Sequence, residues 1–135
     1  MITTIEEYEY CLSRGYDPLV DERFPMSHDL RTKIQRERFG KNTQEADQRF
    51  YKYCLTHKLL VCEECGKPIL HPGAINCSHI LSRGAFPEMA FDARNVNILC
   101  AEHHAIWENG DRKRMQIYWK NNKTIQKLKK EYGTK

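Results

Sequence analysis

Four side chains constrain this chain more than any run of hydrophobic residues does. Cys62 and Cys65 form a C-x-x-C pair, and Cys100 and His103 form a second pair three residues apart. Structural zinc is held by four Cys or His ligands in a tetrahedron, commonly delivered as two close pairs, and residues i and i+3 share one face of a helix. The 34 residues between Cys65 and Cys100 exceed the gap of a compact zinc ribbon, so the second pair must return from a longer excursion. A redox C-x-x-C would favour a helix N-terminus after a strand, whereas Gly66 and Pro68 follow this one and predict a turn. The spacing therefore predicts a structural zinc site made of Cys62, Cys65, Cys100 and His103.

The N-terminus, MITTIEEYEY, is acidic and aromatic and has the character of neither a signal nor a transit peptide. No apolar run approaches the roughly 18 residues that a membrane span needs. A cytosolic chain without membrane contact is expected, and there six cysteines point to metal or free thiols rather than to disulfides. Cys11, Cys54 and Cys77 read as small buried side chains. His28, His57 and His71 have no partner at ligand spacing and are assigned no role.

The first sixty residues predict three helices. Thr4 and Glu7 make a capping box for a helix that Gly15 closes, Ser27 caps a second helix stopped by Gly40, and Thr43 caps a third. Phe50, Tyr53, Cys54 and His57 share the apolar stripe of that third helix. The segment LLVCEECGKPIL and the segment AINCSHIL are expected to pair as a hairpin around the HPG turn. NVNILC leads into a helix near Ala101, and DRKRMQIYWK and KTIQKLKKEY form a helical end broken at Asn121 and Asn122. The expectation is an α+β chain: helices over 1–58, a small metal-centred core over 59–112 and basic helices over 113–135, all in one compact domain. Residues 1–60 are electrically balanced, but residues 111–135 carry nine basic and two acidic side chains. Such a tail either attracts a polyanion or is a solvated helix face.

His103 is followed at once by His104. Adjacent helical residues point about 100° apart, so the two histidines serve different ends. With His103 given to zinc, His104 shares its face with Glu108 at i+4, a pair able to coordinate a divalent metal. His79, in CSHI, is a candidate general base, because an imidazole titrates near neutral pH.

The ordered set CEECG, CSHI and NVNILCAEHH resembles the HNH nuclease family: a zinc knuckle, a strand histidine, an asparagine and a helix-borne histidine. The SRGAFPEMAFDARN segment between His79 and Asn95 further resembles phage recombination endonucleases of the Rap/NinG type. The likeness covers about residues 60–112. It implies a small ββα-metal (HNH, His-Me finger) core and a metal-dependent DNA endonuclease or nickase, acting in a bacterial or phage-infected host cell on phage or mobile-element DNA.

Carried over residue by residue, the resemblance implies that His79 is the general base and that His104 binds a catalytic Mg²⁺ or Mn²⁺. It implies that Asn95 fixes the loop and orients His79 through its carbonyl. Family members commonly have Asp or His before the base, and this chain has Ser78. The cation would then rest on His104, water, the substrate phosphate and Glu108, with Ser78 as a poor further ligand. Arg83, Arg112, Lys113 and Arg114 are the candidate DNA-phosphate contacts. The alternative function is a non-catalytic, zinc-dependent nucleic-acid-binding module. A zinc hydrolase or deaminase fits poorly, since neither H-E-x-x-H nor an H-x-E before P-C-x-x-C is present.

Overall fold

The computed structural model describes residues 1–41 and 43–133. It consists of helices and a two-stranded antiparallel sheet. Three helices come first: α1 (Ile5–Ser13), α2 (His28–Phe39) and α3 (Gln44–His57). Each begins at the expected cap, with the side-chain oxygens of Thr4, Ser27 and Thr43 accepting from the amides of Glu7, Leu30 and Ala46. The Glu7 carboxylate accepts in return from the Thr4 amide at 3.1 Å, which completes the capping box. Gly40 ends α2 at φ 88°, a left-handed conformation that only glycine adopts without strain.

The sheet pairs β1 (Cys77–His79) with β2 (Val96–Ile98), in the register Cys77 with Ile98, Ser78 with Asn97 and His79 with Val96. This corrects the expected hairpin. The partner of CSH is the NVNIL segment, across the long 80–95 connection, and LLVCEECGKPIL instead folds back on itself through the single bridge Val61 to Pro68. Of AINCSHIL only the CSH residues are strand, and 74–76 form a 3₁₀ turn. Helix α4 (Ala101–Asn109) follows β2 directly.

The basic end is less continuous than expected. A 3₁₀ turn at 112–114 gives way at extended Met115 to α5 (Gln116–Lys120), and α6 (Asn122–Tyr132) begins at the Asn121 joint. Met115 and Ile117 turn inward beside Cys62, Leu99 and Trp107. Leu128 of α6 covers Leu81 and Met89. The lysines of this end therefore sit on helices whose other face is committed to the interior.

The largest apolar cluster joins α1, α2 and α3 to both strands through Phe39, Phe50, Tyr53, Cys54, Cys77, Val96 and Ile98. Phe50 is wholly buried, with ring centroids 5.3 Å from Phe39 and 5.5 Å from Phe91. His57 is exposed at the end of the stripe, its ring 4.3 Å from that of Tyr53, because the helix runs past the cluster before its last turn.

Strands of three residues cannot hold a sheet by themselves. Two buried polar clamps hold the 80–95 connection that joins them. The Asn95 side chain accepts from the Leu81 amide at 2.8 Å and donates to the Leu81 carbonyl at 3.0 Å. Asp92, fully buried, takes two bonds from the Arg94 guanidinium at 2.9 and 2.6 Å and one from the Tyr132 hydroxyl at 2.9 Å. Burial alone would raise the Asp92 carboxyl, but the hydrogen bonds and charge of Arg94 hold it below the ordinary range. Arg94 also pairs with Glu131, which ties the connection to α6. Replacing Arg94 by Met would leave Asp92 buried and unpaired, and should cost about 3–5 kcal/mol in urea unfolding. The double variant Asp92→Asn, Arg94→Met should recover part of that loss, because the carboxylate that lost its guanidinium partner is no longer charged.

Candidate metal centre and histidine pair

Cys62, Cys65, Cys100 and His103 converge, with one ligand atom from each lying within 4.8 Å of all the others. The His103 Nδ1 stands 3.2 Å from the Cys100 sulfur and 3.7 Å from the Cys62 sulfur. A tetrahedron with Zn–S of about 2.3 Å and Zn–N of about 2.0 Å has edges of roughly 3.5–3.8 Å, so the donor set can bind a metal such as zinc. The two halves arrive by different local logic. The knuckle turns because Gly66 adopts φ 75° and its amide donates to the Cys62 carbonyl at 2.8 Å. Cys100 is the N-cap of α4, and the first helical turn carries His103 back over it.

The electrostatics favour a cation. Burial pushes the Cys62 thiol up, but the amides of Cys100, Cys65 and Glu64 directed at its sulfur bring it down to about 7. Cys100 is pushed up, by burial first and then by the sulfurs beside it. Thiols this close resist ionising together unless a positive charge joins them. Cys77 and Cys54 lie buried in the apolar cluster, away from the four.

The two glutamates between the cysteines, Glu63 and Glu64, hold the knuckle to its neighbours. Glu63 accepts from the Asn97 side chain at 3.0 Å and from the Ile98 amide, while its own amide donates to the Ile98 carbonyl at 2.8 Å. Glu64 accepts from the amides of Gln116 and Ile117 at 3.1 and 3.0 Å. One carboxylate thus fastens the knuckle to β2, and the other to the start of α5. Two acidic residues inside a C-x-x-C look like solvated surface, and nothing local names their partners.

His104 lies on the adjoining face of α4. Its Nδ1 meets the Ile75 carbonyl, so Nδ1 carries the proton and Nε2 keeps its lone pair. The Glu108 carboxylate is 3.5 Å from that Nε2. The His79 Nε2 lies 2.9 Å from the Ala90 carbonyl, which leaves Nδ1 as the basic atom of the neutral ring. Phe50 and Tyr51 of α3 bring their rings to 6.1 Å from His79. Burial holds the imidazole below its ordinary value of 6.5, against the Ala90 contact and the charges of Asp47 and Glu108, which favour protonation. Trp107 of α4 donates to the His79 carbonyl at 3.0 Å. Strand and helix are thereby locked together.

The geometry changes two expected roles, those of Asn95 and Ser78, and engages Arg83 elsewhere. The carbonyl that orients His79 belongs to Ala90, while the Asn95 carbonyl accepts from the Ile80 amide at 2.9 Å. Asn95 does fix the loop, but through its side-chain amide. Ser78 does not join the two histidines. Strand alternation turns it to the face opposite His79, where its hydroxyl is buried without a hydrogen-bond partner among the described residues. Arg83 pairs with Asp47 at 2.7 Å, so any phosphate contact would have to compete with that carboxylate. Of the basic turn, Arg112 stacks its guanidinium 4.6 Å from the Trp107 ring centre and Arg114 lies 3.6 Å from Asp111, while Lys113 is exposed. Among the described residues no helix is long and apolar enough to cross a membrane.

No protein-family model, curated protein or solved structure matches this chain. Its own residues therefore carry the functional argument.

Elemental analysis of the purified protein should find about one zinc per chain, the stoichiometry of a four-ligand structural site. His103→Ala should lower zinc content and cost on the order of several kcal/mol of stability. His104→Ala should leave both close to wild type. Equal behaviour of the two variants would defeat the division between the adjacent histidines.

Proposed function

We propose that this chain is a metal-dependent DNA endonuclease or nickase of HNH type. The observation that carries the reading is the state of the two histidines. His104 has spent Nδ1 on a backbone carbonyl and presents Nε2 beside the Glu108 carboxylate. His79 has spent Nε2 on another carbonyl and keeps Nδ1 for a proton. The succession of β1, β2 and α4 accords with the ββα order that the resemblance implies.

In this reading His104 and Glu108 would hold a Mg²⁺ or Mn²⁺ ion. Imidazole nitrogen with carboxylate oxygen is a donor set that suits Mn²⁺ well and accommodates Mg²⁺ through its waters. Such an ion supplies charge stabilisation for the phosphorane-like transition state and the leaving 3′ oxygen. His79 removes the proton from the attacking water, and the Ala90 carbonyl keeps its tautomer and ring angle correct. The lysines of α5 and α6 and the 112–114 turn supply attraction to backbone phosphates, which weakens steeply as salt rises. Zinc at the four-ligand site braces the turn from which α4 starts and takes no part in the chemistry.

A second reading has one observation in its favour. Ser78 stands where a second metal ligand would be expected, and its hydroxyl is turned away. A zinc-dependent module that binds nucleic acid without cleaving it would need no ligand there.

Plasmid nicking in Mg²⁺ or Mn²⁺ separates the two. His79→Ala should slow nicking by about a hundredfold to ten-thousandfold, the usual contribution of a general base, and His104→Ala should abolish its metal dependence. Absence of nicking by pure wild-type protein in every divalent metal tried would eliminate the nuclease.

The pH profile gives an independent check. His79 is held below 6.5, so the neutral base persists into mild acid. The rate should stay level as pH falls to about 6.5 and decline only below it, as the ring protonates. A decline centred well above that value would place the base elsewhere.

A further inference from the structure

Away from the metal centre, α2, the 80–95 connection and the end of α6 enclose a cleft of about 600 Å³, well within the range of small-ligand sites. Two of the residues that line it each carry a buried, unsatisfied polar atom. Gln35 is only 6% exposed, and its Nε2 has no hydrogen-bond partner among the described residues. The Nδ1 of His28, bordering the same cleft, has none either. Both atoms are sealed from solvent. Buried polar groups almost always find partners, and one left orphaned asks for an explanation. The Tyr132 hydroxyl lies 3.5 Å from the other end of the Gln35 amide, Oε1, and 2.9 Å from Asp92. Whichever way the amide is turned, one of its polar atoms is therefore left unpaired behind the cleft wall.

The walls and rim narrow the chemistry. Phe91 and Tyr132 line the cleft with flat aromatic surface. At its mouth stand Arg36 and Lys41, both exposed and neither with a carboxylate partner among the described residues. Glu88 also borders the cleft, but it already has a partner. Aromatic faces take a planar ring by stacking, an orphaned amide takes a hydrogen-bonding edge, and a pair of rim cations takes a phosphate. A single ligand with all three properties is a nucleotide.

We infer that this cleft is a nucleotide-binding site, with the base between Phe91 and Tyr132, its polar edge on Gln35, and its phosphate on Arg36 and Lys41. Because the Gln35 amide is sealed, the base reaches it only with a side-chain turn, for which the His28 ring, packed edge-on against Tyr132 at 4.5 Å, is the candidate. The nucleotide is either free or a unit of a single strand, and both share this chemistry. The inference stands apart from the cleavage reading, since it concerns binding alone. The two regions are nevertheless joined, because Phe91 follows Ala90, whose carbonyl holds His79.

The test is equilibrium binding of thymidine 5′-monophosphate and of a short fluorescein-labelled oligothymidylate to the full chain, without divalent metal. Two variants are compared, Gln35→Leu and the exposed pair Arg36→Ala, Lys41→Ala. Each should weaken binding by about tenfold, the loss of one good polar contact. If the buried Gln35→Leu variant fails to fold, the surface pair carries the test. Tighter binding of the mononucleotide assigns the site to a free nucleotide, and tighter binding of the oligomer assigns it to a strand. The inference is overturned if neither probe binds wild type, if both variants bind as wild type does, or if an acidic peptide outcompetes both probes.

Discussion

The convergence of two chain segments on one point organises this molecule. Cys62 and Cys65 reach Cys100 and His103 across 34 intervening residues, and nothing in strands of three residues could close so long an excursion unaided. The helix that carries His104 starts from that junction. The knuckle is fastened to β2 through Glu63 and to α5 through Glu64, and α4 begins at Cys100 itself. A metal there would join the segments by bonds far stronger than any surface contact, which is how small domains compensate for a thin core.

The excursion is stiffened by buried polar chemistry instead of regular structure. Asn95 bridges the Leu81 backbone, and Asp92 with Arg94, Tyr132 and Glu131 ties the same segment to the last helix. Such groups are costly to bury unless every partner is present, so they select one arrangement of the connection and reject its neighbours. The Ala90 carbonyl that fixes His79 belongs to this stiffened segment, as does Phe91 in the cleft wall. One rigid connection thus serves two faces of the molecule. The apolar cluster beneath it, centred on Phe50, extends that rigidity into the N-terminal helices.

Much of the candidate site was legible because its signals are local. A C-x-x-C followed by glycine and a Cys-x-x-His at a helix start bring their donors together over one turn of chain, whatever the rest does. The doubled histidine could be divided between two faces from helix geometry alone, and the structure has His103 in the four-ligand group with His104 beside Glu108. The contributions of Ala90 and of Glu63 and Glu64 had no local signal. A backbone carbonyl has no residue identity to read, and a carboxylate between two cysteines looks the same whether it faces water or a neighbouring amide. Ser78 was misplaced for a related reason. The face a strand residue occupies depends on the strand's partner, and the partner lay across the 80–95 connection rather than across the nearer turn.

By itself the sequence determined the three capped helices, the helix that starts near Ala101, the break at Asn121 and the identity of the four donors that could hold a metal. Each follows from side chains acting on backbone within a few residues, or from ligand spacing within one turn. Only the tertiary structure decided which strands pair, which carbonyl holds His79, where Arg83 is engaged and that α2 and α6 enclose a cleft. Those outcomes depend on contacts between residues tens of positions apart. Their free energy is set by burial and by the completion of hydrogen bonds, quantities that do not exist until the chain has closed on itself.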